Sequence, residues 1–176
     1  MEGHVLFDRG NAARWRAARR RRRGPTLVGA TTLLEISTSA PLEVVDLTPR
    51  IEAFVGAARL DLGWVNVQSR HTTAALLVNE HEPLLVSDLF ALLERLASRG
   101  AGYAHDALHL RPGVPPDERP NGHSHAKAAL LQATETLNVS AGRLQLGRWQ
   151  RVLLVELDGP REREVSLAAL GCEVSR

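Results

Sequence analysis

The sequence predicts an α+β domain with mostly antiparallel strand pairing. Apolar runs at strand spacing and at helical spacing follow one another in a mixed order, without regular β-α alternation. Two of the helical patterns open on Pro, at Pro49 and Pro83. Three strand candidates then finish the chain in succession. A length of 176 residues suits one domain, and a hydrophobic content of 44% is ample for its core.

Taken in order, Thr31 to Thr38 is β-branched and apolar enough for a strand. Thr48-Pro49 offers an N-cap and a first helical Pro, after which Ile51, Phe54, Val55 and Ala58 recur at helical spacing until Gly63 stops the pattern. Trp64 to Ser69 alternates as a half-buried strand does, and His71 to Glu80 reads as a turn feeding another strand. Pro83 opens an amphipathic helix with Leu84, Leu85, Leu89, Leu92, Leu93 and Leu96 apolar and Gly100 at its end. Residues 100–122 are irregular, broken by Gly102, Pro112, Gly113, Pro115 and Pro116. A loop longer than roughly 15 residues in a compact domain is usually functional or disordered, and Tyr103, His105, Asp106 and His109 favour function. Pro120-Asn121-Gly122 forces a turn, and a helix runs from there to about Gln132. The closing strands lie around Leu137 to Val139, Trp149 to Leu157 and Glu164 to Leu170. Arg151 to Leu157 is too apolar for an edge and belongs in the middle of its sheet.

The net charge of +2 conceals two unlike parts. Residues 1–25 hold eight Arg against Glu2 and Asp8, while 14 basic and 18 acidic residues in the remainder leave it negative. The run Arg19 to Arg23 lacks the aromatic interleaving of a base-stacking surface, so it reads as a solvated, flexible extension to a domain over residues 26–176. Nucleic acid is not the expected partner. No apolar run approaches the roughly 20 residues of a membrane span, and the first 25 residues lack the apolar middle of a secretory signal. The single cysteine, Cys172, rules out an intramolecular disulfide and makes a reducing cytoplasm the default expectation.

Six of the seven histidines lie between positions 71 and 125. His123 and His125 sit at a helix start, where backbone N–H groups favour anions and depress an imidazole's pKa. Neutral imidazole is the form that binds a metal or accepts a proton. His71 from a strand start, His105 from a loop and His125 from a helix start would suit a divalent metal such as zinc, which takes imidazoles from separate segments. His81 and His109 read as ordinary hydrogen-bonded residues. Glu80 ends an apolar strand, where it could orient an imidazole, act as general base or cap the next helix. Asp88 is the other acid placed with the site, with an ion pair to Arg95 as its structural alternative. Lys127, Arg143, Arg148 and Arg161 add cations suited to phosphate or carboxylate. For Arg143 hairpin chemistry is an equal reading, and for Arg161 a salt bridge with Glu156 or Glu162.

Several segments together resemble the YjbQ family, also called secondary thiamine-phosphate synthases. They are His71-Thr72-Thr73-Ala74-Ala75 with Asn79-Glu80, then Asp88, then Tyr103-Ala104-His105-Asp106, then Asp117 to His125. Gly142 to Gln150 and Glu156-Leu157-Asp158-Gly159-Pro160-Arg161 follow in family order, so that the likeness covers roughly residues 30–172. The resemblance implies a β-sandwich-like, mostly antiparallel core flanked by helices, and a homotrimer. It implies one metal- or anion-binding pocket containing His71, His105 and His125. The activity it implies is weak synthesis of thiamine phosphate, joining a pyrimidine methyl diphosphate to a thiazole phosphate with loss of diphosphate. The ligand would be a small phosphorylated metabolite. A non-catalytic protein that binds a metal or phosphometabolite in the same pocket is the alternative. Two positions depart from the family pattern: Arg148 stands where many members have Thr, and Ala126 where some carry Cys.

Overall fold

The structure, a computed structural model, describes residues 26–173; the basic segment expected as a flexible extension lies outside them. Among the described residues the strands form two antiparallel sheets. The larger contains β1 (Leu27–Ser37), β8 (Glu162–Glu173), β3 (Leu60–Ser69), β5 (Thr134–Ser140) and the two-residue β6 (Arg143–Leu144), in that spatial order. The smaller runs β2 (Glu43–Asp46), β7 (Gln150–Glu156), β4 (Ala74–Glu80). The three helices are α1 (Thr48–Ala57), α2 (Pro83–Leu96) and α3 (Gly122–Ala129).

Two cores hold these layers together. The larger packs Ile36, Val65, Val67, Leu137, Val139, Val165 and Leu167 of the five-stranded sheet against Leu76, Val152 and Leu154 of the three-stranded sheet, with Ile51 and Val55 of α1 closing one side. This is the sandwich-like arrangement that the family resemblance implies. The smaller core lies on the other face of the three-stranded sheet, where Ala75 and Val155 meet Leu93 of α2, with Ala128 of α3 against them. β7 therefore has apolar layers on both sides, and Val152 to Glu156 are all buried. Its central position accounts for the unbroken apolar run.

Local chemistry sets several boundaries differently from the sequence pattern. α1 ends at Ala57 rather than near Gly63, and Arg59 turns the chain with φ +53°. Gly63 lies within β3 opposite Gly171, where a Cβ would come within 2.3 Å of the Leu170 carbonyl oxygen. Glycine there permits close approach of two strands. β2, which no sequence signal marked, spans four half-buried residues. The cap of α2 is Glu82, whose carboxylate accepts from the N–H groups of Leu84 (2.9 Å) and Leu85 (2.8 Å). The alternative role of helix cap for Glu80 is thus filled by a neighbour.

Candidate functional site

One end of the three-stranded sheet carries the site. There the turn into β4 brings His71, Thr72 and Thr73 beside the turn between β7 and β8, which holds Asp158 and Arg161, and beside Arg163 at the start of β8. The long segment between α2 and α3 covers this end, contributing His105, Arg111 and Glu118, and the start of α3 adds Asn121 and His125. Together they line a cavity of about 430 Å³. His71, His105 and His125 thus share one cavity within a single subunit.

The floor is fixed by a buried ion pair. Glu156, fully buried, accepts from Arg163 Nε (2.6 Å) and Nη2, from Thr38 Oγ1 (3.0 Å), and from the backbone N–H groups of Leu157 (2.9 Å) and Asp158 (2.8 Å). Arg163 Nη2 also donates to Thr73 Oγ1 at 3.1 Å. Two charges out of water need this density of partners to be tolerable. Above the floor, Asp158 is nearly buried and accepts from Arg161 Nη2 (2.9 Å) and Asn121 Nδ2 (3.2 Å), with Arg119 Nε at 3.2 Å from its other oxygen. The Asp158 carboxylate is therefore committed to holding the β7–β8 turn against the covering loop and α3.

The covering loop is pinned to α3 by Asp106, which accepts from Gly122 N–H at 2.8 Å. Tyr103 packs so closely on Gly122 that a Cβ there would lie 2.4 Å from the Tyr103 Cβ. This contact sets His105 against His125, with ring centroids 4.5 Å apart and planes at 62°. His105 Nε2 is buried and without a hydrogen-bond partner among the described residues. Burial, and then the neighbouring His105, lower the pKa of His125. Burial, followed by the charge of Arg163, lowers that of His71. His123 takes a different part: its ring meets Ser124 Oγ at 3.2 Å, and that hydroxyl donates to the Leu157 carbonyl. Through Ser124 it helps tie α3 to the residue that follows β7, and it is not among the residues lining the cavity.

His71, His105 and His125 do not together fit a zinc site in this arrangement. His71 Nε2 accepts from the Glu164 backbone N–H at 2.7 Å, so the lone pair a metal would use is already engaged. Among the described residues, no three His, Cys, Asp or Glu side chains are grouped so that they could hold a metal ion.

Of the four cations expected to form an anion pocket, Arg161 alone lines this cavity. Lys127 is buried on α3, its Nζ 2.5 Å from Glu94, a pairing that brings the Glu94 pKa down to about 2. Arg143 lines a separate cleft with Thr48, Glu52 and Arg151. Arg148 stacks its guanidinium on Trp149, 4.6 Å from the ring centroid. Glu80 stands opposite Gln150 at the far end of β4 from Ala74, which pairs with Glu156 beside the site. Asp88 lies within α2 and is not among the residues lining the cavity. The sequence reading missed Arg111, Glu118, Asn121 and Arg163. Arg163 had a signal: it stands in phase with Val165, Leu167 and Ala169, the inward face of β8, where a charged residue requires a reason.

A two-sheet α+β domain with imidazoles and guanidiniums gathered in a cavity at the end of its central strand defines the class of small protein to which this chain is compared. Within that class the match is specific. The model of the family described as UPF0047 protein YjbQ-like matches residues 32–172, and the chain belongs to this family. A UPF0047 protein of Archaeoglobus fulgidus is 38% identical over 137 residues, covering 78% of this chain and 98% of that protein. One from Methanothermobacter thermautotrophicus is 34% identical over 141 residues, 80% of this chain and 92% of that one. The crystal structure of a YbjQ-like protein of unknown function from Sulfolobus solfataricus superposes with a TM-score of 0.75 at 30% identity, covering 83% of this chain and 99% of its own. None of the described helices is long and apolar enough to cross a membrane.

Proposed function

We propose that the protein is an enzyme acting on a small phosphorylated metabolite, with thiamine-phosphate synthesis as the reaction to test first. The observation that carries this reading is the cavity itself, whose lining joins His105 and His125 to Arg111, Arg161 and Arg163. About 430 Å³ lies within the range of roughly 300–1,000 Å³ typical of small-ligand sites. Guanidinium groups suit phosphoryl oxygens and can stabilise the charge that grows as diphosphate departs. His125, lowered in pKa, is neutral near pH 7 and can take a proton. His105 packs edge to face against that ring, and its Nε2 meets no hydrogen-bond partner among the described residues.

In the homotrimer that the family resemblance implies, a neighbouring copy would be the means for Glu80, Arg143 and Arg148 to reach a cavity. The test is formation of thiamine phosphate from the pyrimidine methyl diphosphate and thiazole phosphate by wild type and His125→Ala, with molar mass measured by light scattering. Turnover in wild type that falls at least about tenfold in the variant supports the reading. Equal turnover in the two proteins removes His125 from it. Ligand binding without turnover in wild type selects the non-catalytic, phosphometabolite-binding alternative.

A further inference from the structure

Two side chains that line the cavity, His71 and Arg163, each keep an N–H donor with no acceptor among the described residues. The backbone amide of Glu164 can only donate, so His71 Nε2, 2.7 Å away, must be the unprotonated nitrogen of its ring. In the neutral ring the proton then resides on Nδ1, which has no acceptor among the described residues. Arg163 is 4% exposed and commits Nε and Nη2 to Glu156 and Thr73. Nη1 donates to none of the described residues, and Arg163 is among the residues that line the cavity. Of the acids nearby, Glu118 of the covering loop also lines the cavity, and three others are already engaged. Glu156 is saturated by five donors, Asp158 is held by Arg119, Arg161 and Asn121, and Glu162 accepts from Ser37 Oγ at 2.7 Å.

We infer that His71 Nδ1–H and Arg163 Nη1 form a paired donor site for one oxyanion of the ligand, a phosphoryl or carboxylate group. His71 acts there as a hydrogen-bond donor rather than as a metal ligand. The β8 backbone fixes its tautomer in advance, so the donor pays no reorganisation when the anion arrives. Arg163 is likewise held rigid by its pairing with Glu156, and presents the two N–H bonds of Nη1 in fixed directions instead of a mobile charge. The inference rests on the reading of this cavity as a metabolite site and adds which wall takes the anion. Arg161 and Arg111, on other parts of the lining, remain for further oxygens of the same ligand.

The test uses the full-length protein labelled with ¹⁵N. Long-range ¹H–¹⁵N correlation of the imidazoles reads the His71 tautomer, and inorganic phosphate and acetate are then added in separate titrations. We expect the Nδ1–H form, with the His71 and Arg163 side-chain signals moving together on addition of one anion. Phosphate would mark a phosphoryl ligand and acetate a carboxylate. His71→Gln can accept from Glu164 and still donate into the cavity, and should keep anion affinity within about threefold. His71→Phe can do neither, and should lose about tenfold with its circular dichroism unchanged. A proton on Nε2, a His71 signal that moves on addition of Zn²⁺ alone, or undiminished anion binding in His71→Phe would overturn the inference. If the anions move only the His105, His125 and Arg111 signals, this donor pair is wrong while the metabolite reading stands. If neither anion perturbs any residue of the cavity, both are wrong.

Discussion

Arg163→Met is the substitution whose cost follows most directly from the structure. It removes the cation facing Glu156, a carboxylate with no exposure to water, and leaves three of that carboxylate's donors in place: Thr38 Oγ1 and the N–H groups of Leu157 and Asp158. Breaking a buried pair on one side costs about 3–5 kcal/mol, because the remaining charge stays out of water without its partner. The surviving hydrogen bonds place the expected loss toward about 3 kcal/mol. With a urea dependence of about 1–3 kcal/mol per molar, the unfolding midpoint should fall by about 1–3 M. Adding Glu156→Gln removes the orphaned charge while keeping an acceptor for the backbone donors, and should recover about half of the loss. Urea titration followed by circular dichroism, with the two single variants and the double variant beside wild type, measures this. A cost below about 1 kcal/mol for Arg163→Met, or a double variant equal to the sum of the singles, would refute a coupled buried pair.

Gly122→Ala should destabilise by about 1–3 kcal/mol through collision with Tyr103, and should shift the His105 and His125 ring signals because the same contact sets their spacing; an unchanged thermal midpoint would contradict the packing described. Lys127→Met should leave phosphate affinity unaltered, since Lys127 is spent on Glu94 outside the cavity, and a tenfold loss would return it to the anion site. The pKa values of His71, His123 and His125 all lie below the ordinary 6.5, so the unfolded chain binds more protons than the native one below that pH. Their contribution to stability is therefore fully present above about pH 6.5 and is lost as pH falls from there through the lower native values. A urea midpoint at about pH 5.5 equal to or above that at about pH 7.5 would contradict those shifts.

Much of the fold was legible because single segments carried their own signal. The apolar run of β7 announced a strand covered on both faces, Pro83 and the leucine spacing announced α2 as a helix, and Pro120-Asn121-Gly122 marked the start of α3; of the α2 leucines, however, only Leu93 is buried, and Leu84, Leu92 and Leu96 are exposed. What escaped depended on partners distant in the chain. β2 is four residues that become a strand only by pairing with β7, and Gly63 owes its place to Gly171 across the sheet. The site divides the same way. Histidines were found by type and clustering, and the cavity gathers His71, His105 and His125. The cations were assigned by proximity along the chain, which cannot tell a residue facing the cavity from one on the opposite face of the same helix, as Lys127 is. Arg163 needed strand phase to be combined with charge.

The two-sided burial of β7 divides the cavity into halves of unlike resilience. Its floor grows from the most deeply enclosed strand, whose amides should be among the slowest to exchange with deuterium, while the roof between α2 and α3 is short turns tied down by a few polar links. Substitutions in the roof can therefore alter ligand preference at little cost to folding, and substitutions in the floor cannot. Relatives that diverge in what they recognise should differ first along residues 107–116, between the two family segments of this roof, and keep the Glu156–Arg163 foundation.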